Sequence, residues 1–124
     1  MPARVADASV IGAIAIKEDQ AEQAESLLQG AELYEPPLLA YELASIARKK
    51  ALLDTRRVSE VLHALELALA ADMNWVEVDH VAVLRLALDT GLTTYDASYL
   101  YVARTLALPL VTFDGRLRRA SGIA

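Results

Sequence analysis

Four acidic residues of this chain lie in apolar stretches: Asp7, Glu42, Asp96 and Asp114. A carboxylate near an apolar interior is costly unless a cation or a hydrogen-bond donor receives it. Clustered carboxylates also raise one another's pKa unless a cation neutralises them. The sequence has no cysteine and only two histidines, and hard oxygen ligands without thiolates suit Mg²⁺ or Mn²⁺. The four acids together therefore suggest a site for a divalent cation.

Each acid also has an ordinary structural explanation. Asp7 could end a strand and cap a helix, although Ser9 offers the same cap. Glu42 could lie on a solvated helix face, and Asp114 before a glycine could be a turn residue. Asp96 completes a capping box that starts three residues earlier, and an acid in the first helical turn complements the helix dipole. A single shared cation explains four acids in apolar surroundings more simply than four separate structural roles do.

Short apolar runs alternate with helical periodicity along the chain, which predicts βα units and a parallel sheet covered on both faces. The predicted strands are Arg4–Ala8, Glu32–Glu35, Asn74–Val78 and Pro109–Phe113, with a possible edge strand at Ser121–Ala124. The predicted helices are Val10–Ile16, Gln20–Gln29, Leu38–Lys50, Arg56–Ala71, His80–Thr90, Thr94–Ala107 and Arg116–Ala120. Sites in such sheets form at the carboxyl ends of the strands, where Asp7, Asp96 and Asp114 are expected.

The length and composition of the chain indicate the broad class of protein to which it belongs. With 124 residues, 55% of them apolar, the chain is expected to form a single domain with a substantial core. Its N-terminus lacks a signal-peptide pattern and no apolar run reaches transmembrane length, so a soluble cytoplasmic protein is expected. The net charge of −5 argues against nucleic-acid binding, but basic residues cluster locally. Arg116, Arg118 and Arg119 could contact an RNA backbone or form a solvated helix face.

Four motifs in order give the chain a family resemblance. They are D-A-S at Asp7–Ser9, P-x-L-x-x-E-L-A at Pro37–Ala44, G-L-T-T-Y-D-A-S-Y-L at Gly91–Leu100 and P-L-V-T-F-D at Pro109–Asp114. Together they resemble a PIN domain, and most nearly the VapC-type toxins of bacterial and archaeal toxin–antitoxin pairs. Each motif alone is weak, but the ordered set covers almost the whole chain.

The resemblance implies a three-layer α/β/α domain over residues 1–124, with a central parallel sheet of four to five strands. It implies a metal-dependent endoribonuclease whose acidic site is Asp7, Glu42, Asp96 and Asp114, supported by Ser9 and Thr112. It also implies a homodimer and an antitoxin that covers the site. The last strand of the family is barely represented at the C-terminus.

Two functional hypotheses from different classes follow. In the first, Asp7, Asp96 and Asp114 hold Mg²⁺, with Mn²⁺ as the alternative, while Glu42 completes the site or orients the attacking water. In the second, the chain acts chiefly by associating with an antitoxin or another protein. A phospho-receiver is disfavoured because Asp7 stands alone after the first strand and the late strand ends in Thr-Phe-Asp, without the expected lysine.

Overall fold

A computed structural model describes residues 2–122, in which strands and helices alternate. The strands are β1 (Ala3–Ala6), β2 (Glu32–Glu35), β3 (Met73–Trp75) and β4 (Leu110–Val111). The helices are α1 (Ala8–Ala15), α2 (Ala21–Leu28), α3 (Leu38–Leu53), α4 (Val58–Ala70), α5 (His80–Thr90), α6 (Thr94–Leu106) and α7 (Gly115–Ala120). A turn of 3₁₀ helix at Thr55–Arg57 joins α3 to α4.

The four strands form one parallel sheet in the order β3-β2-β1-β4. Parallel strands are joined by right-handed crossovers, and the direction of each crossover decides which face of the sheet its helices cover. The chain moves from β1 through β2 to β3, which places α1 to α4 on one face. It then crosses back past β1 to β4, which places α5 and α6 on the other. The expected α/β architecture with a central parallel sheet is confirmed.

Strand order reverses between β1 and β4, and this reversal opens a crevice at the carboxyl ends of the two strands. The pair is held by backbone hydrogen bonds from the Val5 N–H to the Pro109 carbonyl, 3.0 Å, and from the Asp7 N–H to the Val111 carbonyl, 3.2 Å. Two of the acids singled out in the sequence therefore follow the two strands that border the crevice.

Helix α6 is the main packing element behind this crevice. It contacts β1, β2 and β4, and Tyr99, Leu100 and Val102 are almost completely buried. The Thr93 hydroxyl accepts a hydrogen bond from the Asp96 N–H at 3.1 Å and caps the helix. At the other end Ala107 takes the left-handed conformation, with φ of 54°. The packing and capping of α6 thus fix the position of Asp96 relative to the sheet.

The helices of the opposite face approach one another closely at a glycine. A Cβ atom on Gly12 of α1 would lie 2.7 Å from Cδ1 of Ile46 on α3, a distance that real side chains do not show. Glycine at this position therefore leaves room for the end of the Ile46 side chain between α1 and α3. None of the helices in residues 2–122 has the length and apolar character needed to cross a membrane.

Several predicted boundaries were wrong. β1 ends at Ala6 rather than Ala8, and α1 begins at Ala8, so Ser9 lies inside the helix and is not its cap. β3 and β4 are shorter than the apolar runs that predicted them. An apolar run indicates that residues are buried, but it does not show which of them form backbone hydrogen bonds with a neighbouring strand. The possible edge strand is not formed at Ser121 and Gly122, which lie in a turn, while Ile123 and Ala124 fall outside the described residues.

Candidate active site

Asp7 lies between the end of β1 and the start of α1 and is only 5% exposed. Its Oδ1 accepts a hydrogen bond from the Ser9 hydroxyl at 2.6 Å, and its Oδ2 accepts one from the Thr112 hydroxyl at 2.7 Å. Burial raises the pKa of Asp7, and these two donors oppose that rise. The carboxylate is thus held in one orientation by hydroxyls from both sides of the crevice.

The same two hydroxyls tie the end of β4 to the end of β1. The Ser9 Oγ accepts from the Phe113 N–H at 3.1 Å, and the Thr112 Oγ1 accepts from the Asp114 N–H at 2.9 Å. Asp114 in turn caps α7, since its Oδ1 accepts from the Leu117 N–H at 2.9 Å. Ser9 and Thr112, both singled out in the sequence, therefore act as connectors between Asp7 and the segment that carries Asp114.

Asp96 reaches the crevice from the first turn of α6 and is partly exposed. Burial is the largest cause of its raised pKa, and the negative charges of Asp114 and Asp7 add to the rise. Thr93 opposes it through a hydrogen bond. The structure thus brings Asp96 into electrostatic contact with the acids that follow β1 and β4.

Glu42 approaches from α3, on the other side of the crevice. Its Oε1 accepts a hydrogen bond from the Tyr99 hydroxyl at 2.6 Å. Burial is the largest cause of the raised pKa of Glu42, and the negative charges of Asp96 and Asp7 raise it further. The hydrogen bond from Tyr99 opposes this rise. All four acids predicted from the sequence are therefore linked electrostatically around one crevice.

No basic side chain neutralises these acids within residues 2–122. The two salt bridges found there join Arg56 to Asp54 and Arg57 to Glu60, both at the surface. Hard oxygen donors that lie near one another and lack a cationic partner have the chemistry of a site for Mg²⁺ or Mn²⁺.

The carboxylates do not, however, form a ready-made coordination shell. In the described part of the chain, no group of three or more Asp, Glu or His side chains could hold a metal ion as it stands. Asp7 and Asp114 already accept hydrogen bonds from the Ser9 and Thr112 hydroxyls and from the Leu117 N–H, and a carboxylate oxygen that accepts one hydrogen bond keeps a lone pair for a cation. The donor set fits a divalent cation in residue type and charge, and coordination would require the acids to come closer together.

Glu35 is a fifth acid near the crevice, and the sequence analysis missed it. It ends β2 and is completely buried, with its Oε2 accepting from the Ala6 N–H at 2.9 Å. Its Oε1 has no hydrogen-bond partner among the residues described. Burial raises the pKa of Glu35 to about 9, and the charge of Asp7 adds to the rise. The available signal was its position at the carboxyl end of the strand next to β1.

The three arginines after Asp114 are all exposed and differ in their contacts. Arg118 donates from Nη2 to the Thr112 carbonyl at 2.9 Å and so supports the turn after β4. Arg119 lies close to Gly115, where an added Cβ would be 3.2 Å from its Nη1. Arg116 extends from the first turn of α7.

Comparisons with known proteins agree with this arrangement. The model of the PIN domain matches residues 4–123. The chain is 35% identical over 118 residues to Ribonuclease VapC3 of Pyrobaculum aerophilum, covering 91% of this chain and 90% of the relative. It is also 60% identical over 35 residues to Exonuclease VapC9 of the same organism, covering 28% and 26% of the two chains.

A solved structure is also similar to this chain. The crystal structure of PAE2754 from Pyrobaculum aerophilum superposes with a TM-score of 0.78 at 31% identity, covering 99% of this chain and 89% of that one. The match to Ribonuclease VapC3 and the structural match each span almost the whole chain. This chain therefore belongs to the PIN-domain family.

Proposed function

We propose that this chain is a metal-dependent endoribonuclease that uses Mg²⁺, or Mn²⁺, to hydrolyse RNA phosphodiester bonds. The observation that carries the proposal is the crevice itself, where Asp7, Glu42, Asp96 and Asp114 arrive from separate elements without a basic partner in the described chain. The family and the name of the relative Ribonuclease VapC3 support RNA as the substrate.

The proposed roles follow from the position of each side chain. Asp7, Asp96 and Asp114 are the metal ligands, and Glu42 orients the attacking water or completes the site. Bound Mg²⁺ would lower the pKa of a water and offset charge on the phosphoryl oxygens during in-line attack. Ser9 and Thr112 hold Asp7 in its orientation through hydrogen bonds of 2.6 and 2.7 Å.

Phosphate contacts are proposed for the exposed arginines of α7. Arg116 and Arg119 are exposed on the helix that follows Asp114, which supports a role in neutralising backbone phosphates. Arg118 already donates to the Thr112 carbonyl, so its contribution would combine a phosphate contact with support of the turn.

Cleavage of a circular single-stranded RNA tests both the chemistry and its endonucleolytic character, since a circle has no ends. We expect Mg²⁺-dependent opening of the circle, and a loss of about 100-fold or more in Asp7→Asn and Asp96→Asn. The exposed Glu66→Gln on α4 is the matched control and should cleave normally. Cleavage restricted to linear RNA would favour an exonuclease, as the name of the relative VapC9 suggests. Full activity in both Asn variants would remove the assignment.

The proposed biological role is that of the toxin in a type II toxin–antitoxin pair, acting in the cytoplasm as a homodimer. An association surface is supported by the apolar side chains that α5 exposes at helical spacing. Val81 is 62% exposed, Leu84 48% and Leu88 75%, and residues three and four apart share one helix face.

A second candidate function, association without strong nuclease activity, is favoured by this same face of α5. Growth arrest on expression should vanish in Asp7→Asn if cleavage is responsible. Arrest that persists in Asp7→Asn but disappears when Leu84 and Leu88 are changed to Lys would favour association instead.

A further inference from the structure

A second concavity lies beside the acid crevice, between the starts of α3 and α6 and the segment that leads into α5. It has a volume of about 730 Å³, which is in the range of small-molecule sites. Pro37, Val83 and the rings of Tyr41 and Tyr95 line it, together with the polar side chains of Glu77 and His80. None of the assignments made above for metal, water or phosphate uses this pocket.

The two tyrosines connect the pocket to the acid crevice. Tyr41 directly precedes Glu42 on α3, and Tyr95 directly precedes Asp96 on α6. Consecutive residues on a helix point about 100° apart, so each helix presents an acid to the crevice and an aromatic ring to the adjoining pocket. The rings are 76% and 61% exposed. A molecule bound in the pocket would therefore lie next to the group bound by the acids.

The backbone beneath one of these rings is firmly placed. The Tyr95 carbonyl accepts a hydrogen bond from the Ser98 hydroxyl at 2.6 Å, and Ser98 is itself 5% exposed and lines the pocket. Since the first turn of α6 is also capped by Thr93, the ring of Tyr95 projects from an ordered turn. An ordered backbone beneath an aromatic side chain lowers the entropy that is lost when a flat ligand stacks on the ring.

The charged side chains of the described pocket lining favour an uncharged occupant over a phosphate. Among the described residues that line the pocket there is no Lys or Arg, and Glu77 is acidic. An anion would be repelled here, whereas a flat uncharged ring could stack on the tyrosines. A carboxylate such as that of Glu77 accepts hydrogen bonds from the exocyclic amino groups of bases.

We propose that this pocket is a nucleobase subsite. In it, an unpaired RNA base next to the scissile phosphate stacks on Tyr95 and Tyr41 and offers an amino group to Glu77. This inference rests on the proposed RNA cleavage and adds to it a preference for bases that carry an exocyclic amino group, guanine, adenine and cytosine, over uracil. Single-stranded RNA is recognised in this way elsewhere, through aromatic stacking and base-edge hydrogen bonds.

Kinetics on single-stranded RNA provide the first test. We expect Tyr95→Ala to raise KM by about 5- to 100-fold, the range of one lost base–aromatic stack, with kcat changed only a few-fold. Tyr95→Phe keeps the stacking ring and should retain the original KM. Glu77→Gln should reduce the preference for amino-bearing bases over uracil. Leu62→Ala, a similarly exposed apolar truncation on α4 outside the pocket, is the matched control.

Binding without cleavage separates this proposal from the nuclease assignment. In an Asp7→Asn background, RNA oligonucleotides with 2-aminopurine at successive positions should show quenched fluorescence at one position, and Tyr95→Ala should abolish the quenching. Quenching that depends on Tyr95, together with a wild-type protein that fails to cleave RNA in the presence of Mg²⁺ or Mn²⁺, would retain the subsite and overturn the nuclease. An unchanged KM together with unchanged quenching in Tyr95→Ala would overturn the subsite, as would a change of oligomeric state with unaltered RNA kinetics.

Discussion

The Tyr99 hydroxyl donates a hydrogen bond of 2.6 Å to Oε1 of Glu42 and thereby joins α6 to α3 across 57 residues of sequence. Tyr99 is completely buried, and burial, followed by the proximity of Glu42, raises the pKa of its phenol. The phenol therefore keeps its proton and remains a donor throughout the range in which Glu42 titrates. Glu42 is thus oriented by a core residue of the opposite helix layer.

Tyr99→Phe tests this link. The variant removes a donor that lowers the pKa of Glu42, so that pKa should rise further. If ionised Glu42 is required, the acid limb of the pH–activity profile moves to higher pH. A loss of about 1 to 3 kcal/mol in unfolding free energy is also expected, since Glu42 loses a partner. A pH profile identical to that of the wild type would contradict the proposed role of Glu42.

Asp96→Asn should change stability in opposite directions with and without metal. Burial, together with repulsion from Asp114 and Asp7, raises the pKa of Asp96, so removing its charge should stabilise the metal-free protein slightly, by about 1 kcal/mol or less. Mg²⁺ or Mn²⁺ should raise the Tm of the wild type by mass action and raise that of the variant much less. Thermal denaturation over a metal titration measures both effects. Equal metal-induced shifts in the two proteins would exclude Asp96 as a ligand.

Glu35 should make stability depend on pH. Its pKa is about 9 in the folded protein against 4.5 for the unperturbed group, so the folded state binds the extra proton between these values. The contribution is fully present below about pH 4.5 and is lost progressively as the pH rises towards 9.

Glu35→Gln isolates that contribution. The amide keeps the acceptor for the Ala6 N–H but cannot ionise, so the variant should be more stable than the wild type, on the order of 3 kcal/mol near pH 8. The difference should shrink towards pH 5. Chemical denaturation at several pH values measures it, and a pH-independent difference would show that Glu35 does not titrate as described.

Thr112→Val tests the connection between β4 and β1. Valine has the shape of threonine but cannot donate to Oδ2 of Asp7 or accept from the Asp114 N–H. A loss of about 2 to 4 kcal/mol in unfolding free energy is expected, together with a higher pKa of Asp7 and weaker metal binding. Thr112→Ser retains the hydroxyl and should recover most of both properties. Loss of metal affinity in the serine variant as well would point to the methyl group instead.

The sequence predicted correctly the features that depend on residues close together in the chain. Asp7 and Asp114 follow apolar runs that are strands, and Thr93 caps α6 as its capping-box spacing indicates. Helix α5 was predicted with its observed limits because Asp79 caps its first turn and Gly91, with φ of 76°, ends it. Signals of this kind lie within a few residues of the element that they define.

The features that the sequence did not reveal depend on long-range contacts. Ser9 looked like a helix cap, but its hydroxyl bridges Asp7 and Phe113, a residue 104 positions away. Glu35 looked like a strand terminus before two prolines. Its burial depends on the pairing of β2 with β1 and on the packing of α6 against β2, neither of which local propensity encodes.

The pairing of β1 with β4 also determines when the acids can meet during synthesis. Asp7 leaves the ribosome early, but its partner Thr112 is encoded 105 residues later. A nascent chain that has not reached β4 lacks both Asp114 and the Thr112 hydroxyl that holds Asp7, so only the β1 side of the crevice can be present. At typical elongation rates of about 5 to 20 residues per second, synthesis of the residues between Asp7 and Thr112 takes several seconds. The machinery that makes the protein is therefore not exposed to the assembled acid site until β4 has been synthesised.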